Sequence, residues 1–135
     1  MRRYLLDTGA AGDYLARRNR GFARAKEEVA RGNRIGICMP VLGELYYGIE
    51  LSASHEKNLQ RLRHDLPALT VWPFDRKAAE EYGRIFAELK RLGQPMQQID
   101  IQIAAVALSL GNCTVVSGDG DLADVPGLTV ENWCK

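Results

Sequence analysis

Two kinds of hydrophobic pattern alternate along the chain. Short apolar runs bounded by turn residues predict buried strands, whereas apolar residues spaced three or four positions apart predict helices. The predicted strands cover 4–6, 34–39, 69–74, 114–116 and, as a possible fifth, 128–130. The predicted helices cover 10–18, 21–31, 41–51, 59–66, 75–92 and 99–110. The last helix is apolar nearly all round, which indicates that it is buried.

Strands that alternate with helices indicate a parallel sheet. We therefore predict an α/β fold of three layers, α/β/α, around a central parallel sheet of four to five strands. No repeat, linker or low-complexity stretch divides the sequence. A single domain spanning residues 1–135 is the expectation.

Individual residues mark where these elements begin and end. Asp7 or Thr8 can cap the first helix, and Asp75 can cap the long fifth one. Pro40 suits the first turn of a helix because it lacks the N–H that this turn leaves unpaired. Gly93 is expected to end the fifth helix.

Composition places few limits on function. The chain has 46% hydrophobic and 26% charged residues with a formal net charge of +1, which is typical of a globular protein. Its three cysteines lack the spacing of a zinc ribbon, and the longest apolar stretch is too short to span a bilayer. We expect a soluble cytoplasmic protein without a membrane association.

Basic and acidic residues are distributed differently. Arginines and lysines cluster at 17–26 and again at 61–91, whereas several acids stand alone within apolar stretches. The basic residues form either a solvated face or a track for RNA phosphates. If they form a track, Arg17 and Arg24 are the positions where neutralisation should weaken RNA binding.

Four acids occupy positions from which the fold can bring them together. Asp7 directly follows the first strand, Asp119 follows the fourth, and Glu44 and Asp100 lie near the starts of helices. In a parallel sheet all of these points meet at the carboxyl edge, where ligands bind. Taken singly, each acid also has a structural interpretation, such as a helix cap for Asp7 or a turn residue for Asp119.

Clustered carboxylates need a cation. Two such charges about 4 Å apart repel by about 4 kcal/mol at an effective dielectric of 20. A site of oxygen ligands without histidine or cysteine favours Mg²⁺ or Mn²⁺ over zinc. Bound ions of this kind activate water for phosphodiester hydrolysis.

Five segments of the sequence, in this order, resemble the PIN-domain family and, more narrowly, its VapC toxins. They are YLLDT at 4–8, GELYYGI at 43–49, IDIQIAA at 99–105, VVSGDGDL at 115–122 and VPGL at 125–128. Each motif is weakly specific, but the ordered set covers nearly the whole chain. The resemblance implies a PIN fold, a Mg²⁺- or Mn²⁺-dependent endoribonuclease, a cognate VapB-like antitoxin that blocks the site, and a homodimer.

The resemblance also assigns roles to residues. Asp7, Glu44 and Asp100 match the three principal acids, and Asp119 matches the fourth. Thr8 and Ser117 match hydroxyls that orient the acids, with Asp121 as an outer helper. Two departures concern the rim of the site: Gly9 stands where the family often has Asn, and glycines flank Asp119, which predicts a flexible loop there.

Other classes fit less well. The chain lacks the Asp-x-Asp of haloacid-dehalogenase phosphatases, a P-loop and a Gly-x-Ser-x-Gly elbow. A PIN-fold protein that binds RNA or a partner without cleaving remains the alternative. Tyr46, Tyr47 and Leu51, on the helix that carries Glu44, are either a surface for the antitoxin or half-buried core.

Overall fold

A parallel five-stranded sheet forms the centre of the protein in the computed structural model, which describes residues 1–134. The strands are β1 (Arg3–Leu6), β2 (Arg34–Cys38), β3 (Thr70–Trp72), β4 (Cys113–Val116) and β5 (Thr129–Glu131). Their order is β3-β2-β1-β4-β5, and every adjacent pair is parallel. The predicted α/β class and parallel sheet are confirmed, including the fifth strand.

Six α-helices flank this sheet, as the three-layer prediction requires. They are α1 (Thr8–Ala16), α2 (Gly21–Ala30), α3 (Met39–Leu51), α4 (His55–Asp65), α5 (Arg76–Arg91) and α6 (Gln98–Leu110). Short 3₁₀ turns follow at Leu66–Ala68 and Gly120–Asp124. The second turn occupies a stretch for which no regular element was predicted.

The boundaries differ from the predicted ones for local reasons. Helix α1 starts two residues earlier, at Thr8, because the side chain of Asp7 caps it. Met39 belongs to α3 instead of the preceding strand, since Pro40 sits in the first turn of that helix. The third strand stops at Trp72, before Pro73, which has no N–H to donate to a sheet.

The core lies between the sheet and the helices. Leu5, Ile37 and Val115 on the three central strands are fully buried. Helix α6 is buried along most of its length, as its apolar sequence predicted, with Ile101 and residues 103–107 inside the core. Removing these side chains from water is the main favourable term in folding.

The strand order creates a crevice at one place in the sheet. From β1 the chain runs outward to β2 and β3, and it then returns to form β4 on the other side of β1. Such a reversal separates the connections that leave β1 and β4, so a crevice opens at their carboxyl ends. Within residues 1–134, no helix is both long and apolar enough to cross a membrane.

Candidate active site

A cavity of about 580 Å³ occupies the crevice between the ends of β1 and β4. The four acids predicted from the sequence all line it: Asp7, Glu44, Asp100 and Asp119. Thr8 and Ser117, the two predicted hydroxyl residues, line it as well. The fold therefore brings together residues that are up to 112 positions apart, from 7 to 119.

Asp7 lies at the floor of this cavity. Its side chain is 7% exposed, and its Oδ1 accepts a hydrogen bond of 2.7 Å from the backbone N–H of Ala10. Burial raises the pKa of the Asp7 carboxyl, and the negative charges of Asp119 and Asp13 raise it further. Hydrogen bonds from Ser117 and Ala10 act in the opposite direction. Asp7 is thus both a helix cap and a site acid.

Asp100 faces the same group of charges from the first turn of α6. Burial raises its pKa to about 6, with further contributions from the charges of Asp119, Asp7 and Asp121. These carboxylates are therefore close enough to repel one another. Helix α6 leads into β4, so its first turn lies at the carboxyl edge of the parallel sheet.

Asp119 is exposed, but hydrogen bonds define its position. Its backbone N–H donates to Oγ of Ser117 at 2.9 Å, and its Oδ1 accepts from the N–H of Asp121 at 3.0 Å. Ser117 is buried, and its own N–H donates to the carbonyl of Glu131 on β5 at 2.9 Å. Hydrogen bonds thus connect the segment flanked by glycines to the sheet.

Glu44 stands apart from the other acids. It lies in the second turn of α3, is exposed, and borders both this cavity and a neighbouring groove lined by Tyr47 and Phe74. It is not among the charges that shift the pKa of Asp7 or Asp100. Glu44 is consequently at the mouth of the site, whereas the three aspartates form its interior.

The remaining predicted residues take different places. Oγ1 of Thr8 is buried and has no hydrogen-bond partner among the described residues. Asp121 is exposed and does not line the cavity, although its charge raises the pKa of Asp100. Asp121 thus lies outside the cavity wall, and its role as an outer helper stays a prediction.

Several residues of the cavity were missed by the sequence reasoning, namely Asp13, Asn19, Gln97, Trp133 and Cys134, whereas Arg18 belongs to the basic cluster at 17–26. Asp13 had no periodic signal, because it lies six positions after Asp7, whereas residues on one helix face are three or four apart. Trp133 had none either, since its indole reaches the site only through the packing of the C-terminal segment. It packs against Tyr4, and its Nε1 donates to Glu131 at 3.0 Å.

A track for RNA phosphates stays a prediction for Arg17 and Arg24, whose guanidinium groups already have partners within the protein. The Arg17 guanidinium donates two hydrogen bonds to Asp65, which is 5% exposed. Arg24 forms ion pairs with Glu28 and Glu131. Both arginines are thus committed to intramolecular carboxylates.

The donor chemistry of the cavity fits a hard divalent cation. The acids supply only oxygen ligands, the unpartnered Thr8 hydroxyl adds a further oxygen, and a cation would relieve the repulsion that raises the pKa of Asp100. Among residues 1–134, no three histidine, cysteine, aspartate or glutamate side chains are already grouped as an ion cage. The cavity therefore suits such a cation through the oxygen atoms that it offers and through its negative charge.

Comparisons with known proteins agree with this geometry. The family model of the PIN domain matches residues 4–128. Ribonuclease VapC2 of Rickettsia felis is 30% identical over 132 residues, covering 98% of each chain. The tRNA(fMet)-specific endonuclease VapC of Salmonella typhimurium is 36% identical over 102 residues, covering 76% of this chain and 77% of its own. The crystal structure of DNA-bound VapBC from Salmonella typhimurium superposes with a TM-score of 0.90 at 32% identity, covering 99% of this chain and 100% of that one.

Proposed function

The chain belongs to the PIN domain family, and from this premise we propose that it is an endoribonuclease, the toxin of a toxin–antitoxin pair. Its substrate is RNA, and its reaction is hydrolysis of a phosphodiester bond. One domain spanning residues 1–135 carries the activity, and the protein acts in the cytoplasm, where this substrate is found.

The observation that carries this proposal is the coupling of three aspartates within one cavity. Asp7 and Asp119 both raise the pKa of Asp100, and Asp119 also raises that of Asp7. Evolution seldom keeps mutually repelling carboxylates together unless they serve a site, because each repulsion lowers stability. Relatives named as a ribonuclease and as a tRNA(fMet)-specific endonuclease support the reaction class.

The cavity would hold Mg²⁺ or Mn²⁺ through Asp7, Asp100 and Asp119, with Glu44 reaching from the mouth. Such an ion, when bound, supplies an activated water and neutralises charge on the phosphate. Ser117 positions the acids, and the Thr8 hydroxyl, which has no partner within the described residues, is available to the ion or its water. Ser117 acts through its Oγ, which accepts a hydrogen bond from the backbone N–H of Asp119 and donates one to the Asp119 carbonyl.

RNA cleavage by the purified protein tests the proposal. Wild type is incubated with total RNA, and separately with tRNA(fMet), in Mg²⁺ or Mn²⁺, and the ends of the fragments are mapped. Asp100→Asn is the matched variant, because the Asp100 carboxyl makes no hydrogen bond within residues 1–134 whose loss would disturb the fold. Cleavage that persists in Asp100→Asn, or that is absent from wild type with both ions, would contradict the proposal.

A PIN-fold module that binds RNA or protein without cleaving it is the second candidate, and the exposure of Glu44 at the mouth favours it. RNA cleavage separates the two, and melting temperatures with and without Mn²⁺ report whether the ion binds. Both candidates predict stabilisation by the ion in wild type and its loss in Asp100→Asn. Ion-dependent stabilisation without cleavage of either RNA sample would select the binding module.

We also propose that a VapB-like antitoxin covers the exposed apolar face of α3. Tyr46, Tyr47 and Leu51 are 41%, 63% and 71% exposed, which leaves this apolar face accessible to a partner. This face adjoins Glu44 and the groove at the mouth of the site. An antitoxin segment bound here would block the cavity, and an arginine of that segment would reach the acids.

Two measurements test the partners. Co-expression with the product of the adjacent reading frame should yield a complex that co-purifies and that suppresses RNA cleavage. Tyr47→Glu should weaken this complex, whereas Arg84→Glu on the distant helix α5 should not. Light scattering of the protein alone tests the homodimer that we propose for the free toxin, and a monomeric mass would remove that part of the assignment.

A further inference from the structure

The turn between α1 and α2, residues 17–20, has an unusual backbone. Arg17, Asn19 and Arg20 have φ angles of 57°, 54° and 64°. Positive φ is uncommon for residues other than glycine, and it is least uncommon for asparagine and aspartate. Two arginines in this region within four residues indicate a conformation that surrounding contacts enforce.

Arg17 supplies those contacts. Besides its two hydrogen bonds to Asp65, its Nη1 donates to the carbonyl oxygen of Tyr14 at 3.3 Å. Its guanidinium lies 3.8 Å from the centre of the Phe22 ring, within the range of a cation–π contact. Arg17 therefore fixes the turn to α1, α2 and the end of α4, and its charge is used inside the protein.

Arg18, the next residue, points the other way. It is 64% exposed and lines the acidic cavity, where it is the only lysine or arginine among the lining residues of the described chain. Its Nε lies 3.4 Å from Oδ1 of Asp13, while Nδ2 of Asn19 donates to Oδ2 of the same carboxylate at 3.1 Å. Its two Nη groups donate no hydrogen bond within residues 1–134. They remain available to a ligand.

A polyanionic substrate needs such a group at this place. The interior of the cavity carries Asp7, Asp100, Asp119 and Asp13, all of which repel phosphate. A guanidinium presents a planar pair of donors that matches a phosphate oxygen pair. Since Asp13 holds the Nε side of Arg18, the orientation of the free donors is defined in advance.

We infer that Arg18 binds a phosphate of the RNA strand beside the scissile one, on a turn that Arg17 and Asp65 fix and with a side chain that Asp13 orients. This inference rests on the proposed ribonuclease function. Within the basic cluster at 17–26, it assigns the RNA contact to Arg18, which lines the acidic cavity.

The experiment compares Arg18→Gln with Arg20→Gln in the full-length Asp100→Asn protein, which is expected to bind RNA without cleaving it. Arg20 is the matched control, because it lies in the same turn and its loss changes the net charge equally, but it borders a different depression beside Arg24. The probe is fluorescein-labelled unfractionated bacterial tRNA, and anisotropy gives the affinity over a range of NaCl concentrations.

Arg18→Gln should weaken binding about tenfold or more, as the loss of a charge-assisted hydrogen bond implies. The slope of log affinity against log salt should fall by about one. Arg20→Gln should stay within about twofold of the parent. Equal losses of affinity in both variants would indicate that only the total positive charge attracts the RNA. An unchanged affinity in Arg18→Gln would show that Arg18 makes no contact with it. Either result overturns the inference.

The same measurements distinguish a failure of the Arg18 inference from a failure of the proposed function. If the parent binds no tRNA and the wild type cleaves no RNA, the proposed function itself fails and the inference fails with it. If the parent binds and Arg18→Gln binds equally well, only the inference fails. In the chain with Asp100 intact, Arg18→Gln should raise KM more than it lowers kcat, because the lost contact is remote from the reacting atoms.

Discussion

The backbone N–H of Asp7 donates a hydrogen bond of 3.0 Å to the carbonyl of Val116. This bond extends the pairing of β1 with β4 by one residue beyond Leu6, so Asp7 is held beside the start of the segment that carries Ser117 and Asp119. The convergence of the acids is therefore a consequence of sheet register. A shift of one residue would turn the Asp7 side chain to the other face of the sheet.

The two roles of Asp7 can be separated by substitution. Asparagine keeps an oxygen that accepts from the N–H of Ala10, whereas alanine does not. We expect Asp7→Ala to be less stable than Asp7→Asn by about 1 kcal/mol, the usual contribution of a helix cap. Both variants should lose RNA cleavage. Urea unfolding and a cleavage assay on the same preparations check this, and equal stabilities would show that the cap contributes nothing.

The order of the elements could be predicted from the sequence because strands and helices have different patterns of apolar residues. The buried strands are short apolar runs, and α5 shows apolar residues at helical spacing between Asp75 and Gly93. Asp75 does cap α5, since its Oδ1 accepts from the N–H of Ala78 at 3.0 Å. The 3₁₀ turn at Gly120–Asp124 was not predicted, because a helical turn this short has no repeat to detect.

The four predicted acids do line one cavity. The sequence did not show which basic residues pair within the protein and which face the cavity. Arg17 and Arg18 are adjacent and chemically identical, and only tertiary contacts assign one to Asp65 and the other to the cavity. Asp65 is 48 residues from Arg17, a distance across which composition and periodicity carry no pairing information. Glu44 is exposed at the mouth of the site, a position that the sequence did not distinguish from those of the other acids.

Glu44→Gln should separate function from stability. Glu44 is exposed and forms no hydrogen bond within the described chain, so the free energy of unfolding should change by less than about 0.5 kcal/mol. RNA cleavage should fall because the mouth of the site loses a carboxylate ligand. Glu50→Gln, on the same helix but outside the cavity, is the matched control and should cleave normally. Full activity in Glu44→Gln would place this residue outside the reaction.

The pair of Arg17 and Asp65 should be important for stability. Arg17→Leu leaves the Asp65 carboxylate buried without its main partner, which typically lowers the free energy of unfolding by 3–5 kcal/mol. We expect about 3 kcal/mol, because the Arg17 side chain is 43% exposed and water can partly replace it. Arg84→Leu removes the surface pair with Glu81 and should cost less than about 1 kcal/mol. Similar losses in the two variants would contradict a special role for the buried pair.

Gly36 is required by the close approach of β2 and β3. A Cβ at this position would lie 2.1 Å from the carbonyl oxygen of Thr70 and 2.8 Å from Cζ3 of Trp72. Gly36→Ala should therefore lower stability by at least about 3 kcal/mol, the upper part of the range for overpacking. Gly83→Ala on α5, where a Cβ meets nothing within 4 Å, should instead raise stability by about 1 kcal/mol. Chemical denaturation measures both, and a well-folded Gly36→Ala would mean that the two strands can move apart.

Stability without metal should depend on pH through Asp100. Burial and the neighbouring aspartates raise the pKa of its carboxyl from 3.8 to about 6. Between these values the folded protein holds a proton that the unfolded chain has released, so raising the pH destabilises the folded state. The stabilisation is complete below about pH 4 and is lost as the pH rises through about 6. Urea unfolding in EDTA from pH 4 to pH 7 measures it.

Asp100→Asn provides the reference for this titration, because it lacks the ionisable group and retains every other one. The variant should gain stability relative to wild type as the pH rises, by on the order of 1 kcal/mol once the partial exposure of Asp100 is allowed for. At pH 7, Mn²⁺ should reverse the order by stabilising wild type alone, since only the full set of carboxylates attracts the ion strongly. A difference between the two proteins that does not change with pH would mean that Asp100 is free of the repulsion from Asp7 and Asp119 on which the proposed metal site depends.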